Sequence, residues 1–335
     1  MSLALAACGD TAAETPETLR LLAHDSFADA VNDETFAAFT EETGIEVEVL
    51  AGGDAGSMVT QAVLTAGNPT ADVLFGVDDT FLSRAIDGEI FTEHTSELID
   101  TVPASLRVGP QELVTPIDFG DVCLNYDKAW FEDKGLEVPA SLDDLRDPAV
   151  AASLVVEHPA TSSPGLAFLL ATMDIYGADW RDFWADLKEG GVKVVPDWNT
   201  AYYADFTRYG GDRPLVVSYA SSPPAEVIFA EEPLETAPTG VIEAGCYRQI
   251  EFAGVLDGTD HPEAAGDLID SLLSGGFQET SRVNGFVFPA NDNADRPAEF
   301  VDHPVIPADP SQLDPDLIAE NREAWIQEWA ELMEG

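Results

Sequence analysis

Residues 19–79, LRLLAHDSFADAVNDETFAAFTEETGIEVEVLAGGDAGSMVTQAVLTAGNPTADVLFGVDD, read as strand, helix, strand, helix, strand. Leu19 to His24 is an apolar strand. Asn32 or Asp33 can cap a helix that buries Phe36 and Phe39 and stops at Gly44, a residue suited to a helix end. Ile45 to Leu50 alternates apolar and acidic side chains, the pattern of a half-buried strand. A loop at Gly52 to Gly56 leads to a helix from Ser57 to about Ala66. The next strand covers Asp72 to Gly76, with Asp78 and Asp79 just beyond its carboxyl end. This order predicts an α/β protein with a mostly parallel sheet covered by helices.

The same rhythm restarts further on. Leu154 to Val156 reads as a strand, Thr161-Ser162-Ser163-Pro164-Gly165 as a turn, and a helix follows to about Tyr176. Val192 to Val195 and Pro214 to Tyr219 are further strands. Val114 to Tyr126 and Cys246 to Gly254 are extended and apolar-rich, as expected of two crossings between an outer and an inner unit. Asp314 and Pro315 open a terminal amphipathic helix carrying Leu317, Ile318, Trp325, Ile326 and Trp329. The expected organisation is a tether over residues 1–18, a first lobe over 19–117 plus 254–310, a second lobe over 118–253, and the terminal helix over 311–335.

The chain has 335 residues, with 63 Asp+Glu against 15 Lys+Arg, a formal charge of −48. Such a chain repels polyphosphate, which argues against nucleic acid and anionic lipid surfaces as partners. Its 45% hydrophobic content, with 17 Phe and 6 Trp, is enough for a large core. Carboxylates run along the whole sequence, which favours a solvated surface suited to salt over a localised acidic binding face.

Leu5-Ala6-Ala7-Cys8 resembles a lipobox, so Cys8 is the expected lipidation site. The Ala-, Thr- and Glu-rich stretch from Gly9 to Thr18 suits a flexible tether. No later stretch approaches the ~20 apolar residues of a membrane span. The expected location is extracytoplasmic, held to the cell membrane only through that lipid. Cys123 and Cys246 remain as an even pair, compatible with a disulfide or with two small buried hydrophobes.

No nucleophile elbow, HExxH, phosphate-cradling lysine loop or dinucleotide fingerprint is present. Nor is there a Cys/His cluster of zinc spacing. No catalytic residues, metal or cofactor are therefore assigned. A hydrolase or a structural surface protein would be the alternatives from other classes. The informative positions are polar turns at strand carboxyl ends, where open α/β sheets bind ligands. They are His24-Asp25-Ser26, Asp54 to Ser57, Asp78-Asp79, Thr161 to Gly165, Asp197-Trp198-Asn199 and Ser218 to Ser222.

At these residues the chain resembles the periplasmic thiamine-binding proteins of ABC importers, within the solute-binding protein superfamily. The resemblance is carried by His24-Asp25-Ser26-Phe27, Ala71 to Asp78, Asp118-Phe119-Gly120 with Tyr126-Asp127-Lys128, Thr161-Ser162-Ser163-Pro164-Gly165-Leu166, Trp198 with Ala201-Tyr202, Ser218-Tyr219 with Ser222-Pro223, and Ala324-Trp325-Ile326 with Glu328-Trp329. It implies a two-lobed periplasmic-binding-protein-like fold, each lobe a mostly parallel sheet flanked by helices. One small ligand would lie in the cleft between the lobes, and a monomer would deliver it to an ABC permease.

Carried over by position, Asp54 and Ser162 make polar contacts and Trp198 and Tyr219 touch the ligand from the second lobe. Phe286 takes the place of a ring-stacking tryptophan. Asp25, Ser26, Asp78 and Tyr202 complete the expected ligand-binding set. The chain departs from the family pattern at His24 and Ala225, where tyrosines are usual, and at Val31, where tryptophan is usual. Thiamine, a phosphate ester of it or a pyrimidine precursor are the ligands in view. A ferric-iron receptor of the same superfamily is the runner-up, because Tyr202-Tyr203 is a tyrosine pair of the kind iron-binding relatives use. Otherwise one of the two tyrosines packs inward and the other faces solvent.

Overall fold

The computed structural model describes residues 15–230, 232–279, 287–295 and 307–335. The first unit forms as β1 (Thr18–Ala23), α1 (Asp25–Ala30), α2 (Ala37–Thr43), β2 (Glu46–Ala51), α3 (Ala55–Leu64), β3 (Val73–Asp78) and α4 (Leu82–Asp87). Three local details differ from the sequence pattern. The short helix α1 was not foreseen; His24 caps it, its Nδ1 accepting the Phe27 amide at 3.2 Å. Neither Asn32 nor Asp33 caps α2, because Asn32 Oδ1 is occupied by the Glu34 amide at 2.9 Å in a local turn. Helix α3 starts at Ala55 rather than Ser57, since Asp54 Oδ1 accepts the Ala55 amide at 2.8 Å.

β4 (Thr115–Asp127) then leads to α5 (Lys128–Lys134) and α6 (Pro148–Ala151). The second unit contains β5 (Leu154–Glu157), α7 (Ser163–Tyr176), α8 (Trp180–Gly190), β6 (Lys193–Val195), β7 (Leu215–Tyr219) and α9 (Ser222–Ile228). β8 (Thr239–Val255) returns the chain to α10 (Pro262–Leu273), β9 (Phe288–Pro289) and the terminal α11 (Pro315–Glu334).

The strands form one sheet in the order β2-β1-β3-β8-β4-β7-β5-β6, with β9 on β4. β2, β1 and β3 are mutually parallel, as are β7, β5 and β6. Between these groups run β8 and β4, antiparallel to each other and to their outer neighbours. Each half is thus a parallel trio closed by one strand of a shared crossing pair, the two-lobed α/β arrangement.

Hydrophobic pattern explains the layers. In α7 every residue from Ser163 to Met173 is buried, as a helix apolar on all sides must be. Helix α8 instead buries Trp180, Phe183, Trp184 and Leu187, a single stripe at helical spacing. Helix α11 lies across both units. Its Trp329 meets Trp184 edge-on at 5.3 Å and Glu328 pairs with Arg181. At its other end Arg322 donates to Ser83 Oγ at 2.8 Å beside α4. Among the described residues no helix is long and apolar enough to cross a membrane.

Cys123 on β4 and Cys246 on β8 form a disulfide, both sulfurs buried. It closes a loop of more than a hundred residues, so its removal should cost about 4–5 kcal/mol by release of unfolded-chain entropy. The double variant Cys123→Ala/Cys246→Ala is expected to melt several degrees lower in calorimetry. An unchanged melting temperature would show that the β4–β8 hydrogen bonds alone hold the crossing.

Candidate functional site

The loops at the carboxyl ends of β1 and β2 are clamped to each other. Asp25 donates its amide to the Gly53 carbonyl at 2.9 Å, and its Oδ1 accepts the Gly53 amide at 2.8 Å. That holds His24 and Ser26 at the mouth of the first unit, with Ser26 Oγ 2.8 Å from His24 Nδ1. The imidazole lies over β3, where Gly76 has a φ of +94° and any Cβ would collide with the ring's Cδ2. Phe27 meets Phe75 edge-to-face at 4.7 Å and forms the apolar wall beside it.

The second unit supplies the opposite wall. Trp198 is buried, donates Nε1 to Ser218 Oγ at 3.0 Å, and stacks on Tyr202 at 4.9 Å with 14° between the rings. Tyr202 is itself fully buried and donates its hydroxyl to Glu226 Oε1 at 2.8 Å. Burial, and then the charge of Glu226, push that phenol well above its ordinary value. Tyr203 is the partly exposed member of the pair and faces the cleft. Tyr219 completes this wall, its hydroxyl 3.4 Å from Gln249 Oε1.

Among the described residues, three hydrogen bonds join the two walls. The Trp198 amide donates to Asp54 Oδ2 at 3.2 Å, Asn199 Nδ2 donates to Asp29 Oδ2 at 2.9 Å, and the Gly56 amide donates to the Thr161 carbonyl at 3.0 Å. Gly56 permits the approach, since a Cβ there would stand 2.5 Å from the Ala160 carbonyl oxygen. Between the walls lies a cavity of about 310 Å³ lined by His24, Ser26, Phe27, Asp29, Ala30, Phe75, Asp118, Trp198, Asn199, Tyr203, Tyr219, Glu251 and Val287. Asp118 from β4 and Glu251 from β8 reach it from the crossing strands. No lysine or arginine lines it among the described residues.

The site is therefore aromatic and acidic, and its acids are held in a protonation-prone setting. Burial raises Asp118 well above the carboxylate range, and Glu251 beside it raises it further. Burial likewise raises Asp54, against the opposing effect of Ser162 and the Ala55 amide. Asp78 is pushed up to about 7 by burial, with Ser163 and Thr80 opposing and Glu251 adding to the rise. For His24, burial pushes the pKa down, but Glu251, whose Oε2 lies 3.6 Å from Nε2, leaves it above the usual histidine value, with Asp54 and Asp25 assisting.

Of the residues singled out from sequence, Ser26, Trp198 and Tyr219 line the cavity. Asp25 and Asp54 border a small recess that continues it past Trp198. Asp78 is the last residue of β3, not a residue beyond it. Its Oδ1 accepts Thr80 Oγ1 at 2.8 Å and the Phe81 amide at 3.1 Å, beneath the site. Ser162 is buried at the start of α7, and Tyr202 stands behind Trp198. Phe286 and Cys8 lie outside the described residues. His24 and Asn199, which also line the cavity, stand in the polar turns marked from sequence, whereas Asp118, Glu251 and Asp29 were not singled out as ligand contacts. The usable signal was a carboxylate inside an apolar crossing strand, in Ile117-Asp118-Phe119 and Ile250-Glu251-Phe252. Among the described residues no group of three or more His, Cys, Asp or Glu is placed to hold a metal ion.

A carboxyl raised in the folded state binds its proton more tightly there than in the unfolded chain. Its contribution to stability is present at low pH and fades as pH climbs from about 4 through about 7. Asp78→Asn, which can keep the same acceptor, should remove that slope. The wild-type protein should lose melting temperature relative to the variant between about pH 4.5 and 7.5. Parallel melting profiles would mean that Asp78 does not titrate in this range.

Residues 24–279 match the bacterial extracellular solute-binding protein family. The thiamine-binding periplasmic protein of Salmonella typhimurium is 28% identical over 294 residues, 87% of this chain and 85% of the relative. That of Brucella suis biovar 1 is 27% identical, over 95% and 92% of the two chains. Among solved structures, a periplasmic thiamin binding protein superposes with a TM-score of 0.83 at 26% identity, over 94% of this chain and 96% of the other. Iron-bound HitA from Pseudomonas aeruginosa gives a TM-score of 0.72 at 20% identity, over 94% and 99%, a likeness of fold. With three quarters of its length inside the family match and the two-lobed fold in place, this chain belongs to the bacterial extracellular solute-binding proteins.

Proposed function

We propose that this protein is an extracytoplasmic receptor that binds thiamine, or a closely related aromatic cation, and delivers it to an ABC permease. The observation that carries the reading is the cavity itself. Trp198, Tyr203 and Tyr219 line it together with Phe27 and Phe75, and the acids Asp29, Asp118 and Glu251 complete its lining. A thiazolium ring on an aromatic face gains a cation–π attraction of about 0.5–2 kcal/mol, more as water leaves. The acidic lining strengthens that attraction in a medium of reduced dielectric. The names of the relatives point the same way.

In this reading the crossing strands act as the hinge. The expected lobe limits, 117/118 and 253/254, fall inside β4 and β8 near a register shift between Pro116 and Asp118. Closure brings Trp198 to Asp54, Asn199 to Asp29 and Gly56 to Thr161, and the closed form is what a permease would recognise. A lipid on Cys8 would hold a monomeric receptor at the membrane. The ferric-iron reading has less support, because the Tyr202 hydroxyl holds its own proton and donates it in a hydrogen bond to Glu226, and its ring stands behind Trp198.

Calorimetric titration of ligand-stripped protein should give saturable one-to-one binding of thiamine. Trp198→Ala or Tyr219→Ala should weaken it by about 3- to 30-fold, the range of a cation–π contact. Ferric ion should raise no visible charge-transfer band. Absence of heat with thiamine, together with such a band, would reverse the two readings.

Gly56→Val tests closure separately. The added side chain should hold the walls apart, so that thiamine no longer reduces the radius of gyration in X-ray scattering. An unaltered contraction would place the closing contact elsewhere.

A further inference from the structure

Two buried polar atoms at the cavity, His24 Nε2 and Asp118 Oδ1, have no hydrogen-bond partner among the described residues. A buried polar group left in that state destabilises the empty site, a cost that a ligand can remove. Their polarities are opposite. The Phe27 amide donates to His24 Nδ1, which places the ring hydrogen of a neutral imidazole on Nε2, and the imidazolium carries one there as well. Nε2 is a donor in either state. Glu251 Oε2 stands 3.6 Å away, beyond hydrogen-bond length, so it orients that donor without satisfying it. Gln249 in turn fixes Glu251 by donating to Oε1 at 3.0 Å. Asp118 Oδ1 is a carboxyl oxygen with free lone pairs, an acceptor in the carboxylate and equally when a proton sits on Oδ2.

We propose that Asp118 Oδ1 and His24 Nε2, braced by Glu251, read a ring edge that carries an amino group beside an unprotonated ring nitrogen, the edge of an aminopyrimidine. The amino hydrogens go to Asp118 and the ring nitrogen accepts from His24. This rests on the thiamine reading and assigns the part of the ligand that is selected. An edge of reversed polarity, a carbonyl beside a ring N–H, meets acceptor with acceptor and donor with donor. A site built on hydrogen bonds rejects such an analogue far more strongly than an apolar wall rejects a change of size.

The probes are thiamine and oxythiamine, in which a carbonyl replaces the amino group, titrated calorimetrically into the full ligand-stripped chain. Wild-type protein should prefer thiamine by about 100-fold or more. Asp118→Asn, whose amide can turn its NH₂ to the cavity, should narrow that ratio at least tenfold, and His24→Leu should narrow it as well. A wild-type ratio within about threefold overturns the proposal whether or not either variant folds. So does a folded Asp118→Asn or His24→Leu that keeps the wild-type ratio. Should wild-type protein bind neither compound, the thiamine reading itself fails and this inference with it; thiamine binding without discrimination removes the inference alone.

Discussion

Antiparallel pairing of β4 with β8 is the constraint from which the rest of the molecule follows. The register runs from Thr115 opposite Ala253 to Asp127 opposite Thr239, so two long strands serve both halves at once. Each parallel trio needs a neighbour for its inner edge, and each receives one strand of this pair. The disulfide lies within the same pair, at Cys123 and Cys246. Pro116, which cannot donate to a central ladder, is accommodated next to a register shift.

The site inherits its character from those shifts. One occurs on β4 between Pro116 and Asp118 and another on β3 between Phe75 and Val77, at Gly76. Bulged strands re-aim side chains, and here the re-aimed positions carry or accommodate the polar groups of the cleft. Asp118 turns to the cavity, and the missing Cβ of Gly76 leaves room for His24. Asp118, Asp78 and Asp79, on or beside the shared central sheet, are all buried. That accounts for the rise of Asp118, Asp78 and Asp79, with desolvation the leading cause in each.

How much of this could be read from sequence depended on the range of the interaction. The β-α-β rhythm of residues 19–79, the all-apolar helix after Thr161 and the cap at Asp314 are local, and the fold was legible from them. The extended character of the two crossings was legible too. Their pairing was not, because Cys123 and Cys246 fitted a bridge or a core equally well. At the site, Trp198 and Tyr219 announce themselves as aromatics in polar turns. Glu251 and Asp118 do not, since a single carboxylate in an apolar strand gains meaning only when the facing strand is known. The tyrosine pair shows the same limit. Only packing shows that Tyr202 supports Trp198 while Tyr203 meets the cleft.

The strand order also bears on how the chain comes into being. β3 is complete at Asp78, yet the strand that covers its inner edge begins at Thr239, and that same late strand covers β4. During synthesis from the amino end, the first trio cannot close its inner edge, nor β4 its free edge, until β8 has been made up to residue 255. For that interval the half-made chain presents apolar strands with unpaired edges, the usual template for sticking to a neighbour. Carboxylates spread along the whole sequence give every nascent length of it a strong negative charge. Repulsion between unfinished copies is therefore available from the first strands onward, so the acidity guards the protein before it is folded as well as after.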